Sequence, residues 1–185
     1  CVSVNDEVIH GIPGDRVVHE GDLVKVDVGA FFEGFHGDCA ATFAVGEVSK
    51  EARQLLDVTR QSFYEGIKFA RVGYRVSDIS HAVQAYAEGF GYGVVRQFVG
   101  HGVGHKLHED PEVPNFGKPG HGPRLLPGMT IAIEPMINAG SFDVQVMPDN
   151  WTVKTVDHSL SAHYEHSVLI TTGDPVLLTK WDEGI

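Results

Sequence analysis

The 185 residues carry 14 Lys and Arg against 25 Asp and Glu, a formal charge of −11 with histidines neutral. So acidic a chain is unsuited to a nucleic-acid backbone or an anionic membrane as its main partner, and no apolar run approaches the ~18 residues a membrane helix needs. The length and a 42 % apolar share fit one domain, or two tightly fused halves. Two cysteines, Cys1 and Cys39, make no paired framework and no C-x-x-C, which points to a reducing, cytoplasmic setting. Eleven histidines suit a metal or acid–base site. The chain opens at Cys1 inside an apolar run, so the natural polypeptide is expected to extend upstream.

In chain order, Cys1–Val8 alternates like a strand and runs into a Gly/Pro turn at His10-Gly-Ile-Pro-Gly14. Leu23–Val28 alternates again, with Val24, Val26 and Val28 on one face and Leu23, Lys25 and Asp27 on the other. Glu33-Gly34 suits a two-residue hairpin loop. A turn there pairs Phe32 with Phe35 and sets Asp27 opposite Ala40, two residues from Asp38. Asp27 and Asp38 then share a face as diagonal neighbours, roughly 7–8 Å apart. Two carboxylates on an apolar face repel unless a cation lies between them; the alternative is two solvated carboxylates on an exposed face. The second strand is expected to reach about Val45.

Ser49 can cap a helix whose stripe is Ala52, Leu55, Leu56, Thr59, Phe63, Ile67 and Ala70, ending at Gly73. Ser77 can cap a second, with Ile79, Val83, Tyr86 and Phe90 inward. Residues 91–119 read as loop with short strands, Thr130–Glu134 as a strand stopped by Pro135, Gln145–Met147 and Trp151–Val156 as a strand pair, and Ser161–Thr171 as one strand. Strands, two helices, then strands imply an α+β fold with a curved antiparallel sheet. The two acid pairs, Asp27 with Asp38 and Glu134 with Glu165, hint at an internal duplication.

Glu134 stands in Thr-Ile-Ala-Ile-Glu-Pro-Met-Ile, where an ionised carboxylate is costly unless paired or metal-bound; its other reading is the exposed side of an edge strand. His101 is flanked by glycines in Gly-His-Gly-Val-Gly, which matches neither a phosphate loop nor the dinucleotide fingerprint. Four carboxylates and one imidazole would be hard donors, suited to Mn²⁺, Fe²⁺, Co²⁺ or Zn²⁺. Two such cations sharing carboxylates can activate a water near neutral pH, which is hydrolytic chemistry.

His10-Gly-Ile-Pro, the Asp27-x10-Asp38 hairpin ending Phe-His-Gly-Asp, Gly-His101-Gly-Val-Gly with His108-Glu-Asp-Pro, Ile-Glu134-Pro-Met and Ser-Ala-His-Tyr-Glu165-His together resemble the methionine aminopeptidases. The motifs come in that family's order and cover nearly the whole chain. Glu134 and Glu165 are 31 residues apart, which leaves no room for the helical insertion of the type II enzymes, so the likeness is to type I. The resemblance implies the pita-bread α+β fold, a curved antiparallel sheet with helices on its outer face. Residues 1–185 would form one metallopeptidase catalytic domain of two pseudo-symmetric halves, lacking the helical segment that normally comes first. The implied activity is removal of the N-terminal methionine from nascent polypeptides whose next residue is small, with two divalent metal ions.

By the same resemblance Asp27 would bind one metal, His101 and Glu134 the other, and Asp38 and Glu165 would bridge them. His10 and His108 would be catalytic and touch the substrate, Glu134 would shuttle the proton, and Cys1, Leu107 and Trp151 would line the methionine pocket. Leu107 stands where bacterial type I enzymes often have Phe, which implies a roomier pocket. Implied partners are nascent N-termini and no nucleic acid or membrane, with ribosome association left open and a monomer expected for the full-length chain. The competing readings are a pita-bread peptidase of the aminopeptidase P or prolidase kind, a non-catalytic binding protein of this fold, and a fragment that folds without catalysing.

Overall fold

The computed structural model describes residues 1–181. In chain order the elements are β1 (Val2–Val4), β2 (Glu7–Ile9), β3 (Leu23–Phe32), β4 (Phe35–Ala44), α1 (Lys50–Ile67), α2 (Val76–Glu88), β5 (Gly93–Val94), β6 (Gly100–Gly102), β7 (Glu109–Val113), β8 (Thr130–Ile133), β9 (Met136–Asn138), β10 (Val144–Val146), β11 (Val153–Thr155), β12 (Ser161–His163), β13 (Glu165–Leu169) and β14 (Val176–Leu177). The main antiparallel sheet runs β1-β3-β4-β13-β8-β6-β7, with β14 on β13; two three-stranded sheets, β10-β11-β2 and β12-β9-β5, extend it.

The long hairpin forms because its turn chemistry and its alternation agree. Glu33 and Gly34 both take positive φ, 48° and 91°, as a type I′ turn requires. The register follows from that turn: Phe32 faces Phe35, Asp27 faces Ala40 and Gly29 faces Asp38.

Four boundaries differ from the sequence expectation. The first strand divides into β1 and β2 because Asn5, at φ 55°, turns the chain. Asn5 then clamps Asp22 and the Leu23 amide with its side chain, an Asn habit that overrides strand alternation. The Ser161–Thr171 strand breaks at Tyr164, so that β12 pairs with β9 and β13 joins the main sheet. α1 stops at Ile67, short of Gly73. α2 begins one residue before Ser77, with the Arg75 amide donating to the Asp78 carboxylate at 2.8 Å. Ser77 instead exchanges hydrogen bonds with the backbone of His121, and Phe90 lies past the helix end and is exposed. The cap at Ser49 forms as expected, its side chain accepting from the Ala52 amide.

Both helices cover one face of the sheet. Phe63, Val76 and Ile79 pack with Ile131, Ile133, Val168 and Ile170, while Ala52, Leu55 and Val58 pack with Val94, Ile137 and Ala162. Side chains alternate along a strand, so the residues between these apolar ones, Glu134 and Glu165 among them, look to the opposite, concave side. Among the described residues no helix is long and apolar enough to cross a membrane.

Candidate active site

Three of the four carboxylates lie in one row across four adjacent strands, and the fourth is close by. Ala40 on β4 is opposite Asp27 of β3 on one side and Glu165 of β13 on the other. One residue beyond the pair His166–Ile133, Glu165 comes opposite Glu134 at the end of β8. Asp38 is displaced by two pairs along the hairpin, beside Gly29 and on the same face. On the next strand, β6, His101 comes opposite Ala132, diagonal to Glu134. Glycines let that strand in: a Cβ on Gly100 would meet the Ala132 carbonyl at 2.3 Å, and one on Gly102 the Asp110 carbonyl at 2.2 Å.

The result is two donor triads sharing a corner. Asp27, Asp38 and Glu165 present ligand atoms all within 4.8 Å of one another, and so do His101, Glu134 and Glu165. A third set, Asp38, His101 and His108, reuses members of these two. His101 Nδ1 lies 2.9 Å from the Gly102 carbonyl, which places the proton there. Its Nε2 lone pair is thereby turned toward Glu134 Oε1 at 3.5 Å and Asp38 Oδ2 at 3.7 Å.

Burial makes this arrangement expensive for the protein alone. Asp38, Glu134 and Glu165 are all buried, and among the described residues Glu165 Oε1 has no hydrogen-bond partner. The pKa values of Glu134 and Glu165 are pushed well up, first by burial and then by the neighbouring carboxylates. Burial likewise raises Asp38 and lowers His101. Among the described residues, no lysine or arginine pairs with any of the four acids; the nearest basic groups on Glu134 are the rings of His101 and His163. A lone buried oxygen, three desolvated carboxylates and an imidazole with its lone pair aimed inward fit a divalent cation site of hard donors.

The structure brings the other singled-out residues to the rim. His10, held at φ 61°, stacks on Trp151 with ring centroids 4.7 Å apart and meets Phe98 edge-on at 5.9 Å. His108 is exposed, its ring 4.3 Å from that of His101. Leu107 lies over Gly29, where an added Cβ would come within 3.2 Å of it and 3.8 Å of Asp38 Oδ1. Cys1 flanks Asp27, whose amide donates to the Cys1 carbonyl at 3.1 Å. Trp151, 51 % exposed, is open to solvent.

The sequence reading passed over three neighbours of the site. Asn115 is buried and donates to the Glu134 carbonyl at 2.9 Å, and Phe98 props His10. The third is His163, fully buried with Nε2 3.7 Å from Glu134 Oε2 and its pKa driven down to about 4 by burial. The signal that singles out Glu134, an ionisable residue inside an apolar run, is absent at His163, which stands in Leu-Ser-Ala-His-Tyr-Glu-His.

The profile of metallopeptidase family M24 matches residues 1–172. The methionine aminopeptidase of Clostridium acetobutylicum is 55 % identical over 97 % of this chain and 72 % of its own length. The chain belongs to metallopeptidase family M24. Methionine aminopeptidase 1 of Bacillus subtilis is 54 % identical over 97 % of this chain and 73 % of its own. Among solved structures, the methionine aminopeptidase of Thermotoga maritima superposes with a TM-score of 0.96 at 49 % identity, covering 98 % of this chain and 73 % of that one. The prolidase of Pyrococcus furiosus superposes at 0.79 with 23 % identity over 98 % of this chain and 49 % of that one, a likeness of fold alone. The M24 fold here is the pita-bread fold, a curled antiparallel sheet backed by two helices. Membership at these identities makes the chain a metal-dependent hydrolase that removes an N-terminal methionine, as its named relatives do.

Proposed function

We propose that the two triads hold two divalent cations and that the chain trims nascent polypeptides whose second residue is small, in the cytoplasm. The observation that carries this is the shared corner. Glu165 belongs to both triads, and Asp38 Oδ2 stands 3.7 Å from His101 Nε2, so Asp38 and Glu165 are the residues that would serve both cations. Asp27 completes one position, and His101 with Glu134 the other. The donor set suits Mn²⁺, Fe²⁺, Co²⁺ or Zn²⁺. When bound, such a pair supplies a water activated near neutral pH and a Lewis acid for the scissile carbonyl.

The chain's own residues do the rest. Glu134, buried at the end of β8 between the His101 and His163 rings, takes up and returns the proton. His108, exposed at the mouth beside His101, donates to the scissile amide. His10 accepts or donates at the departing side; burial lowers its pKa, with Asp27 pulling the other way. Its stacking on Trp151 makes a flat, apolar wall that suits a thioether side chain and excludes charged ones, because an unpaired buried charge is costly. Leu107 and Cys1 complete the pocket around Asp27 and Gly29.

The test is metal-loaded protein on a Met-Ala-Ser peptide, with Arg-Ala-Ser, Glu-Ala-Ser and an Xaa-Pro dipeptide beside it. Release of methionine from the first alone is the expected result; cleavage of the Xaa-Pro substrate in preference would assign the prolidase activity instead. Glu134→Gln should keep its fold, bind metal less tightly and lose about 10²-fold or more of kcat, the usual weight of a general acid–base group. Near-normal turnover in that variant removes Glu134 from the proton path.

A further inference from the structure

Ser161-Ala-His163-Tyr-Glu165 carries β12 into β13, and the chemistry proposed above has no task for its histidine. His163 is 2 % exposed. Its position is set by backbone. The His163 amide donates to Thr42 Oγ1, and the same hydroxyl donates back to the His163 carbonyl, both at 2.8 Å. On its other edge it pairs with Met136 of β9. The ring is thus delivered to a fixed place.

There, among the described residues, it makes no hydrogen bond. Nδ1 and Nε2 are both buried without a partner. Each unmade bond of this kind is a cost to stability that an apolar side chain of similar size would avoid. The Nε2 atom lies 3.7 Å from Glu134 Oε2, slightly beyond hydrogen-bond range. The other oxygen, Oε1, is 3.5 Å from His101 Nε2. The Glu134 carboxylate therefore stands between two imidazoles, one to each oxygen.

The two rings are not equivalent. His101 has its Nδ1 proton occupied by the Gly102 carbonyl, so its Nε2 offers an electron pair. His163 has nothing on Nδ1, so its Nε2 is free to carry the proton and donate it. A lone pair thus faces one Glu134 oxygen and an N–H faces the other. That asymmetry distinguishes the two oxygens of a group asked both to bind a cation and to move a proton.

Resting on the function proposed above, we infer that His163 is a positioning residue: its Nε2 faces Glu134 Oε2 across 3.7 Å, close enough for a small rotation of the carboxylate to complete an Nε2–H donation, and so biases that rotation and leaves Oε1 to face His101. Outer partners of metal-binding carboxylates act in this way, and their loss weakens metal affinity or activity.

The test uses His163→Leu, His163→Gln and His163→Asn in metal-loaded protein. Gln offers an N–H at similar reach; Asn offers the same amide one methylene short. Two readouts are taken: kcat and KM on Met-Ala-Ser, and the transfer of Co²⁺ from loaded protein to a competing chelator. His163→Leu and His163→Asn should each lose about 10–100-fold in kcat or in Co²⁺ affinity, with KM little changed, and His163→Gln should recover most of both. If the Leu variant fails to fold, the Gln and Asn pair decides alone.

Unchanged kcat and Co²⁺ transfer in His163→Leu or His163→Asn would overturn the assignment. So would a Gln variant as impaired as the Leu one, which would make the ring a packing element, or a loss confined to KM, which would make it a substrate contact. In a Glu134→Gln background, His163→Leu should have no further effect on Co²⁺ transfer; an additive effect would also refute the coupling. The Co²⁺ arm stands even if the peptide proves the wrong substrate, so the two readings fail separately.

Discussion

Lys25 shares a strand face with Asp27, yet it is 1 % exposed and, among the described residues, forms no direct ion pair. Its ammonium donates to the carbonyls of Asn5 and Ser161, both at 2.8 Å, and so ties the β1–β2 turn to β12. Burial lowers its pKa from 10.5 to about 7, with Glu7 and Asp6 pulling the other way. Between those values the unfolded chain binds a proton that the folded chain lacks, so this group makes the fold more stable as pH rises from 7 and costs most below 7. Urea midpoints should therefore climb between about pH 7 and pH 9.5 by less in Lys25→Met than in the parent. Equal slopes would mean the ammonium keeps its charge inside. At the alkaline end the variant should be the weaker of the two, because the Ser161 carbonyl loses its donor, a loss of about 1–3 kcal/mol.

At the scale of the element, the β3–β4 hairpin matters most, since it carries two of the proposed ligands at a spacing set by one turn. Gly34 sits at φ 91°, where a β-branched side chain is strained. Gly34→Val should cost about 1–3 kcal/mol and lower Tm by several degrees, at about 2–4 °C per kcal/mol for a chain of this size. It should also weaken Co²⁺ binding, because Asp27 and Asp38 lose their register. A lower Tm with unchanged Co²⁺ affinity would show that other strands hold the pair in place. This hairpin was legible from the amino acids because everything needed is local: an alternating run, a Gly at the turn, and pairing that follows by counting. β12 and β13 were not. The break at Tyr164 answers to β9 and β4, whose residues lie far off in sequence, and no local breaker marks it. His163 escaped for the same reason, since its neighbour Glu134 is 29 positions away. The start of α2 was misread because Ser77 found the His121 backbone, a contact across 44 residues. As for the ligand set, single residues such as Glu165 looked ordinary in isolation and gained meaning only from the joint pattern of motifs.

Across the whole molecule, the concave side concentrates acid and the helix side holds the apolar core. Asp38, Glu134 and Glu165 have raised pKa values in the fold, so without a cation the folded chain holds protons that the unfolded one has released. That contribution to stability is complete below the unfolded pKa and is lost as pH rises through the folded one. Bound cations need the same groups deprotonated. The gap in Tm between metal-loaded and EDTA-treated protein should therefore widen from about pH 6 to about pH 8. A gap that stays constant or narrows would argue against these carboxylates as the binding groups. Comparing the two forms at each pH cancels Lys25, which affects both alike.

The row Asp27–Ala40–Glu165–Glu134 also bears on how the protein is made. β13 lies between β4 and β8 in the sheet, yet it is among the last strands in the chain. While the polypeptide is still leaving the ribosome, residues 27, 38, 101 and 134 are all available, but the strand that joins their two groups is not. On the two-cation reading proposed above, a growing chain would have no finished cradle in which to trap whatever transition metal is at hand. Capture of the ions would wait for residue 165 and its insertion between strands made much earlier. Metal loading would then be a late step, selected by the geometry of the complete sheet rather than by loose acidic segments of an unfinished one.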